Sequence, residues 1–148
     1  MNVEIVEVDP ADPRLAALVA ALRAELDARY PEEIDFEHPT VKEVARFLLA
    51  TVDSAPVGCC AVQPLDEGDS ELKRMYVPPQ LRGRGIAARL VVEAERLAAR
   101  LGRTRIKLET GVRQPEAIAV YERAGFHRIP NYPPYDRWQM SLCYAKPL

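Results

Sequence analysis

Apolar residues recur along this chain at two spacings, and the switches between them mark out its elements. Val3, Ile5, Val6 and Val8 form an alternating run that predicts an opening strand. Leu15, Leu18, Val19, Leu22 and Leu26 then fall at helical spacing and predict an amphipathic helix over 13–29. Asp12 supplies its N-cap and Pro13 its first position. Residues 30–40 are a proline-punctuated acidic loop, after which Thr40-x-x-Glu43 has the form of a capping box opening a short helix. From about 48 to 77 the pattern predicts three strands in an antiparallel meander, broken at Ser54-Ala55-Pro56 and at Asp66-Glu67-Gly68-Asp69.

The clearest helix covers 84–101, where Ile86, Leu90, Val91, Ala94, Leu97, Ala98 and Leu101 share a face and Gly102 stands at the C-terminal glycine position. A strand at 105–110, a helix at 115–124, a strand opened by Gly125-Phe126 and a last strand within 136–146 complete the order. The succession places one parallel βαβ unit inside an otherwise antiparallel mixed sheet, an α+β fold.

Composition narrows the function. The 148 residues suit one domain over 1–148, and 48% hydrophobic with 28% charged residues is a globular balance. No apolar run approaches the roughly 18 residues of a membrane span, and the acidic, alternating start MNVEIVEVDP is unlike a signal peptide. Cys59, Cys60 and Cys143 cannot pair completely and lack metal-site spacing, so buried thiols in a reducing cytoplasm and no metal are expected. A net charge of −2 argues against a nucleic-acid partner.

The chemistry concentrates in residues 71–88, ELKRMYVPPQLRGRGIAA. A strand ends near Val77, a loop runs through Gln80-Leu-Arg-Gly-Arg-Gly85, and the strongest helix begins at once. Gly83 and Gly85 let the backbone turn sharply and approach a ligand. Amides of the loop and of the first helical turn converge where the helix dipole is positive, with Arg82 and Arg84 at the rim. This is a pyrophosphate cradle. Two other readings stand beside it: plain turn glycines, and a dinucleotide-binding unit with Gly83-x-Gly85-x-x-Ala88 and Glu109 as ribose acid. Five residues between Val77 and Gly83, and a chain too short for two nucleotide-binding halves plus a substrate domain, oppose the dinucleotide reading.

These residues resemble the GNAT superfamily of acetyl-coenzyme A-dependent N-acetyltransferases. Its Q/R-x-x-G-x-G/A signature is matched at each fixed position by Gln80, Gly83 and Gly85. Ala117-Ile-Ala-Val-Tyr121-Glu-Arg-Ala-Gly125-Phe126 is similar to the family's A-I-x-L-Y-x-x-x-G-F segment. One departure is Gln114, in the region where many relatives carry asparagine.

The resemblance implies a V-shaped splay between the strand ending at Val77 and the strand 105–110, with acetyl-CoA as acyl donor in the gap. Met75, Tyr76, Val77, Gln80, Leu81, Arg82, Gly83, Arg84, Gly85, Ile86, Ala87 and Gln114 would contact it. One amide among Met75 and Val77 would polarise the thioester carbonyl. The implied reaction is direct attack by a primary amine, from a small molecule or peptide, in a ternary complex. A homodimer is allowed and no membrane partner is expected. A domain of this fold that binds coenzyme A without turnover is the alternative.

By the same resemblance Tyr121 would protonate the leaving thiolate; its spacing alone, with Ala117, Ile118 and Ala124, favours a core aromatic. Glu71 is the candidate base, since strand alternation places Glu71, Lys73, Met75 and Val77 on one face. A solvated acid or a partner for Lys73 fits Glu71 as well. Glu109 is a second candidate, and His38 and His127 are read as surface residues. The acceptor pocket would draw on Arg29, Tyr30, Glu32, Glu33, Asp35 and Glu37, and on Tyr132, Tyr135, Asp136 and Trp138, an acidic aromatic entrance suited to a cationic amine.

Overall fold

The computed structural model describes residues 1–148. Strand β1 (Glu4–Val8) leads into helix α1 (Pro13–Arg29), and β2 (Arg46–Val52), β3 (Ala55–Pro64) and β4 (Asp69–Tyr76) form the meander. Helix α2 (Ile86–Arg100), strand β5 (Arg105–Gly111), helix α3 (Pro115–Arg123), β6 (His127–Ile129) and β7 (Ser141–Pro147) follow. No helix is long and apolar enough to cross a membrane.

Local chemistry accounts for most boundaries. The Asp12 carboxylate accepts the Arg14 amide at 2.9 Å and Pro13 opens α1. Asp53 and Ser54 both take positive φ, 49° and 68°, the geometry of a two-residue hairpin. The β2–β3 break therefore falls before Ala55 and Pro56, which already pair with Val52 and Thr51.

The helix expected after Thr40 does not form. Gln63 Oε1 takes the Lys42 amide at 2.8 Å, and the Ala45 amide donates to the Lys42 carbonyl at 3.0 Å. Contact with β3 thus turns the segment once and delivers it to β2. Leu101 is likewise past the end of α2 and exposed.

The sheet order is β1-β2-β3-β4-β5-β7-β6, and every pairing is antiparallel except β4 with β5. Leu48, Cys60, Leu72 and Leu108 meet Leu90, Val91, Ala94, Leu97 and Ala98 of α2 on one face, where α3 also packs. Phe47, Leu49, Cys59 and Ala61 meet Leu15 and Leu18 of α1 on the other. Each large side chain so buried contributes about 1.5–3 kcal/mol. The one parallel pair, β4 with β5, sits at the middle of the sheet. Asp69 clamps its start, bonded to Arg105 at 3.0 Å and to Lys107 at 2.9 Å. The Arg105 guanidinium holds the Asp69 carboxyl down at about 2.

Pairing runs from Asp69–Arg105 to Leu72–Leu108 and stops. Beyond that, β4 stays with β3 as far as Tyr76 and β5 stays with β7 as far as Gly111. The two strands therefore diverge in a V, as the resemblance implied. A bulge sharpens the divergence: Arg74 has φ 58°, and three steps of β4 (Lys73 to Tyr76) oppose two of β3 (Ala61 to Cys59). The extra residue also overturns the expected alternation. Glu71 and Lys73 lie on the α1 face with Tyr76, whereas Met75 and Val77 pack toward the α2 face. The dinucleotide-binding reading falls with the antiparallel neighbours and with the 3₁₀ turn Pro79–Leu81 that separates strand from glycines.

Candidate active site

At the head of α2 the backbone alone shapes the loop expected to form a cradle. Gly83 and Gly85 have φ 79° and 80°, a region costly for other residues, and no atom lies within 4 Å of where a side chain would start. Gly85 caps α2 without a side-chain bond, so the first-turn amides from Ile86 onward point outward unengaged. Arg84 is exposed and free of any ion pair. Arg82 is not at the rim as expected. Its Nε donates to the Val77 carbonyl at 2.9 Å and its Nη2 to Glu25 at 2.8 and 3.0 Å, so its charge is spent tying the loop to α1.

Below the cradle, the V opens a cleft through the sheet. Lys73, Arg74 and Met75 of β4 form one wall, and Glu109, Thr110 and Gly111 of β5 the other. Tyr121 of α3 closes it from the α2 face and Leu22 and Leu26 of α1 from the opposite face. This explains why the apolar stripe of α1 buries only Leu15 and Leu18 in the core: its second half lines the cleft.

Three groups in the cleft are chemically prepared. Tyr121 packs tilted against Phe126, with ring centres 5.9 Å apart, and is 5% exposed; it lines the cleft, and its hydroxyl bonds to no protein group. Burial lifts that phenol well above its usual range, so it remains a proton donor. Glu109, partly exposed to the cleft, is pushed up to about 7 by burial, against the bond it accepts from Ser141 Oγ at 2.6 Å and the attraction of Lys73. Thr110 Oγ1 is the only buried side-chain polar atom without a hydrogen-bond partner. Such a group costs about 1–3 kcal/mol, and it lies on this cleft wall.

Glu71 occupies a different position. It is 4% exposed and is absent from the cleft wall, held by Gln63 Nε2 at 2.9 Å, Tyr132 Oη at 2.8 Å and Tyr135 Oη at 3.3 Å. Neither a solvated acid nor a direct partner of Lys73, it anchors the tyrosines. Lys73 Nζ in turn donates to Tyr135 Oη at 2.8 Å, and burial lowers its pKa.

The acceptor side assembles only part of its expected set. Tyr30, Glu33, Tyr135 and Trp138 line the cleft, while Asp35, Glu37 and Asp136 are exposed away from it. Tyr132 is committed to Glu71, and Arg29 and Glu32 are consumed by ion pairs with Glu116 and Arg113. His38 belongs to the site after all: it lines the cleft, bonded through Nε2 to the Glu33 carbonyl at 3.1 Å beside Trp138. His127 is exposed, as read. Lys73, Arg74, Arg23, Met140 and Ser141 were missed. The signal for Arg74 was a charged residue interrupting a strand that should have been buried.

Gln114 sits at the head of α3 and lines the cleft, where its Oε1 accepts the Tyr30 hydroxyl at 3.1 Å. The same hydroxyl accepts the Arg113 amide at 3.0 Å, so Tyr30 fastens the β5–α3 loop to α1. Only glycine fits beneath it: a Cβ on Gly111 would lie 2.0 Å from Tyr30 Oη. Gly111→Ala is expected to cost about 1–3 kcal/mol of overpacking, seen as a melting temperature lower by about 3–10 °C. A parental melting temperature would mean that Tyr30 does not hold the loop.

Comparison with known proteins adds four findings. The family model described as Acetyltransferase (GNAT) family matches residues 14–126. The IAA acetyltransferase of Azospirillum brasilense is 36% identical over 152 aligned positions, covering 99% of each chain. Among solved structures, a Klebsiella pneumoniae protein described as an acyl-CoA N-acyltransferase superposes with TM-score 0.83 at 31% identity, covering 99% of this chain and 97% of that one. The PaiA N-acetyltransferase of Thermoplasma acidophilum, crystallised with coenzyme A, shares the fold at TM-score 0.74 and 18% identity over 100% of both chains.

Proposed function

This chain belongs to the GNAT acetyltransferase family, and from that premise we propose that it moves the acetyl group of acetyl-CoA to a primary amine in a ternary complex. One observation carries the reading. A single cleft holds a carboxyl lifted to about 7 on β5 and an unbonded tyrosine hydroxyl on α3. Those are the base and the acid that the transfer requires, on opposite faces of the sheet, so donor and acceptor have separate approaches.

In this mechanism the glycine loop and the head of α2 bind the donor's pyrophosphate, and the β4 edge beyond Leu72, which has no partner in β5, receives its pantetheine arm. A backbone amide at Met75 or Val77, at the end of β4, stabilises the oxyanion. Glu109 takes the proton of the attacking ammonium; with its carboxyl near 7, much of it is in the accepting form at neutral pH. The amine nitrogen forms its bond to the acetyl carbon, the carbon–sulfur bond breaks, Tyr121 protonates the departing thiolate, and the second proton shed by the nitrogen restores Tyr121 through solvent. Glu71 positions the acceptor wall by fixing Tyr132 and Tyr135.

The test is an acceptor screen with acetyl-CoA that follows thiol release across amino acids, polyamines, aminoglycosides and peptides. Thiol release with none of them would favour the coenzyme A-binding module without turnover. Tyr121→Phe is expected to lower kcat about 10²-fold. Since the hydroxyl has no protein partner to lose, the melting temperature should move by less than about 2 °C. Turnover at the parental rate would make Tyr121 a packing residue only.

A further inference from the structure

Arg74 is the one arginine in the molecule that is part-buried with no ion pair and no hydrogen bond from its guanidinium. It lines the cleft, between Lys73 and Met75, at the left-handed bulge that takes β4 out of alternation. The two carboxylates that share the cleft, Glu33 and Glu109, both lie beyond ion-pair distance of it. Its neighbour is another cation, Arg23 of α1, which retains free donors beyond its bonds to Asp27 at 3.1 and 2.9 Å. Burial, and then Arg23, lower the Arg74 pKa, which is the response of a cation desolvated beside a like charge.

A half-buried guanidinium beside a second one is costly unless an anion completes the arrangement. Guanidinium is also the side chain whose planar fork matches a carboxylate with two parallel bonds. Aromatic rings share the cleft: Tyr135 and Trp138 line it with ring centres 5.6 Å apart. We propose that the acceptor amine carries a carboxylate within a few bonds of its nitrogen, held by Arg74 with Arg23, and an apolar body against Trp138 and Tyr135. This corrects the expectation of an acceptor chosen for positive charge alone. It rests on the amine acetyltransfer proposed above and names the substrate class as amino acids with apolar or aromatic side chains.

The probes are phenylalanine, phenylalaninamide and phenethylamine, assayed by thiol release with acetyl-CoA and corrected for the free-base fraction of each amine. The parent enzyme is expected to favour phenylalanine over both analogues lacking the carboxylate by about 10-fold or more in kcat/KM, the scale of a lost charged hydrogen bond. Added chloride should shrink that preference, because it competes for the same site. Arg74→Gln should bring the ratio to within about twofold of unity, and Arg74→Lys, which keeps the charge but not the fork, should fall between. The parental ratio and its chloride dependence decide the matter even if a variant fails to fold. A parental ratio at or below one, or a ratio unchanged in Arg74→Gln, would overturn the proposal while leaving amine acetylation standing. Silence with every amine of the wider screen would instead strike the acetyltransfer reading.

Discussion

Glu109→Gln is expected to reduce kcat/KM for amine acetylation by about 10²–10⁴-fold at pH 7.5 while making the protein more stable. Both effects come from the same buried carboxyl, pushed up to about 7. In the parent, kcat/KM should rise through pH 7 as Glu109 loses its proton, and the variant should lack that limb. For stability, the sign follows from proton counting. Between the ordinary carboxyl value of 4.5 and about 7, the folded protein keeps a proton that the unfolded chain has released. Stability therefore falls as pH rises through that window, and the full penalty is present above 7. Glutamine removes the penalty and can still accept the Ser141 hydroxyl. At pH 8 the variant should gain on the order of 1–2 kcal/mol, or about 3–6 °C, and at pH 4.5 little or nothing.

Glu71→Gln supplies the contrast. It breaks an arrangement in which one carboxylate accepts from Gln63, Tyr132 and Tyr135, so it should lower the melting temperature. Its pH–rate profile should run parallel to the parent's, displaced downward by a constant factor. If Glu71→Gln lost the limb near 7 and Glu109→Gln kept it, the base would be Glu71 acting from behind its tyrosines, and the assignment made here would be wrong.

Gly85→Asp is expected to abolish acetyl-CoA binding and leave a folded protein. At about 100 times its Kd, a ligand bound only by the native state adds about 2.7 kcal/mol, so the parent should melt about 5–10 °C higher with acetyl-CoA. The new carboxylate would stand at the positive end of α2, where the pyrophosphate belongs, and repel it. It would meet no protein atom, since the position is open within 4 Å, and aspartate tolerates the φ of 80° better than most residues. Gly85→Asn has the same shape without the charge and should lose only part of the shift, which separates repulsion from bulk. Gly83→Asp should behave as Gly85→Asp does. An undiminished acetyl-CoA shift in both aspartate variants would place the donor's pyrophosphate elsewhere.

What the sequence determined by itself was whatever rests on near neighbours. The periodicity of Ile86 to Ala98 made α2, Asp12 and Pro13 started α1, and Gly83 and Gly85 marked the cradle through a conformation no distant residue needs to supply. The β2-β3-β4 meander and the single parallel crossover followed from the same local pattern, whereas the insertion of β7 between β5 and β6 did not. Tertiary structure decided the chemistry. The capping box at Thr40 lost to a bond from Gln63, more than twenty positions away along the chain. One residue inserted at Arg74 rotated the remainder of β4, so that alternation could no longer tell which side chains face the cleft. Glu71 and Glu109 are the same residue type on neighbouring strands. Tyrosines 61 and 64 positions along the chain seal the first, while the splay leaves the second at the cleft wall. A carboxyl's pKa is set by the water and charge around it, and those come from residues that only the folded chain brings together.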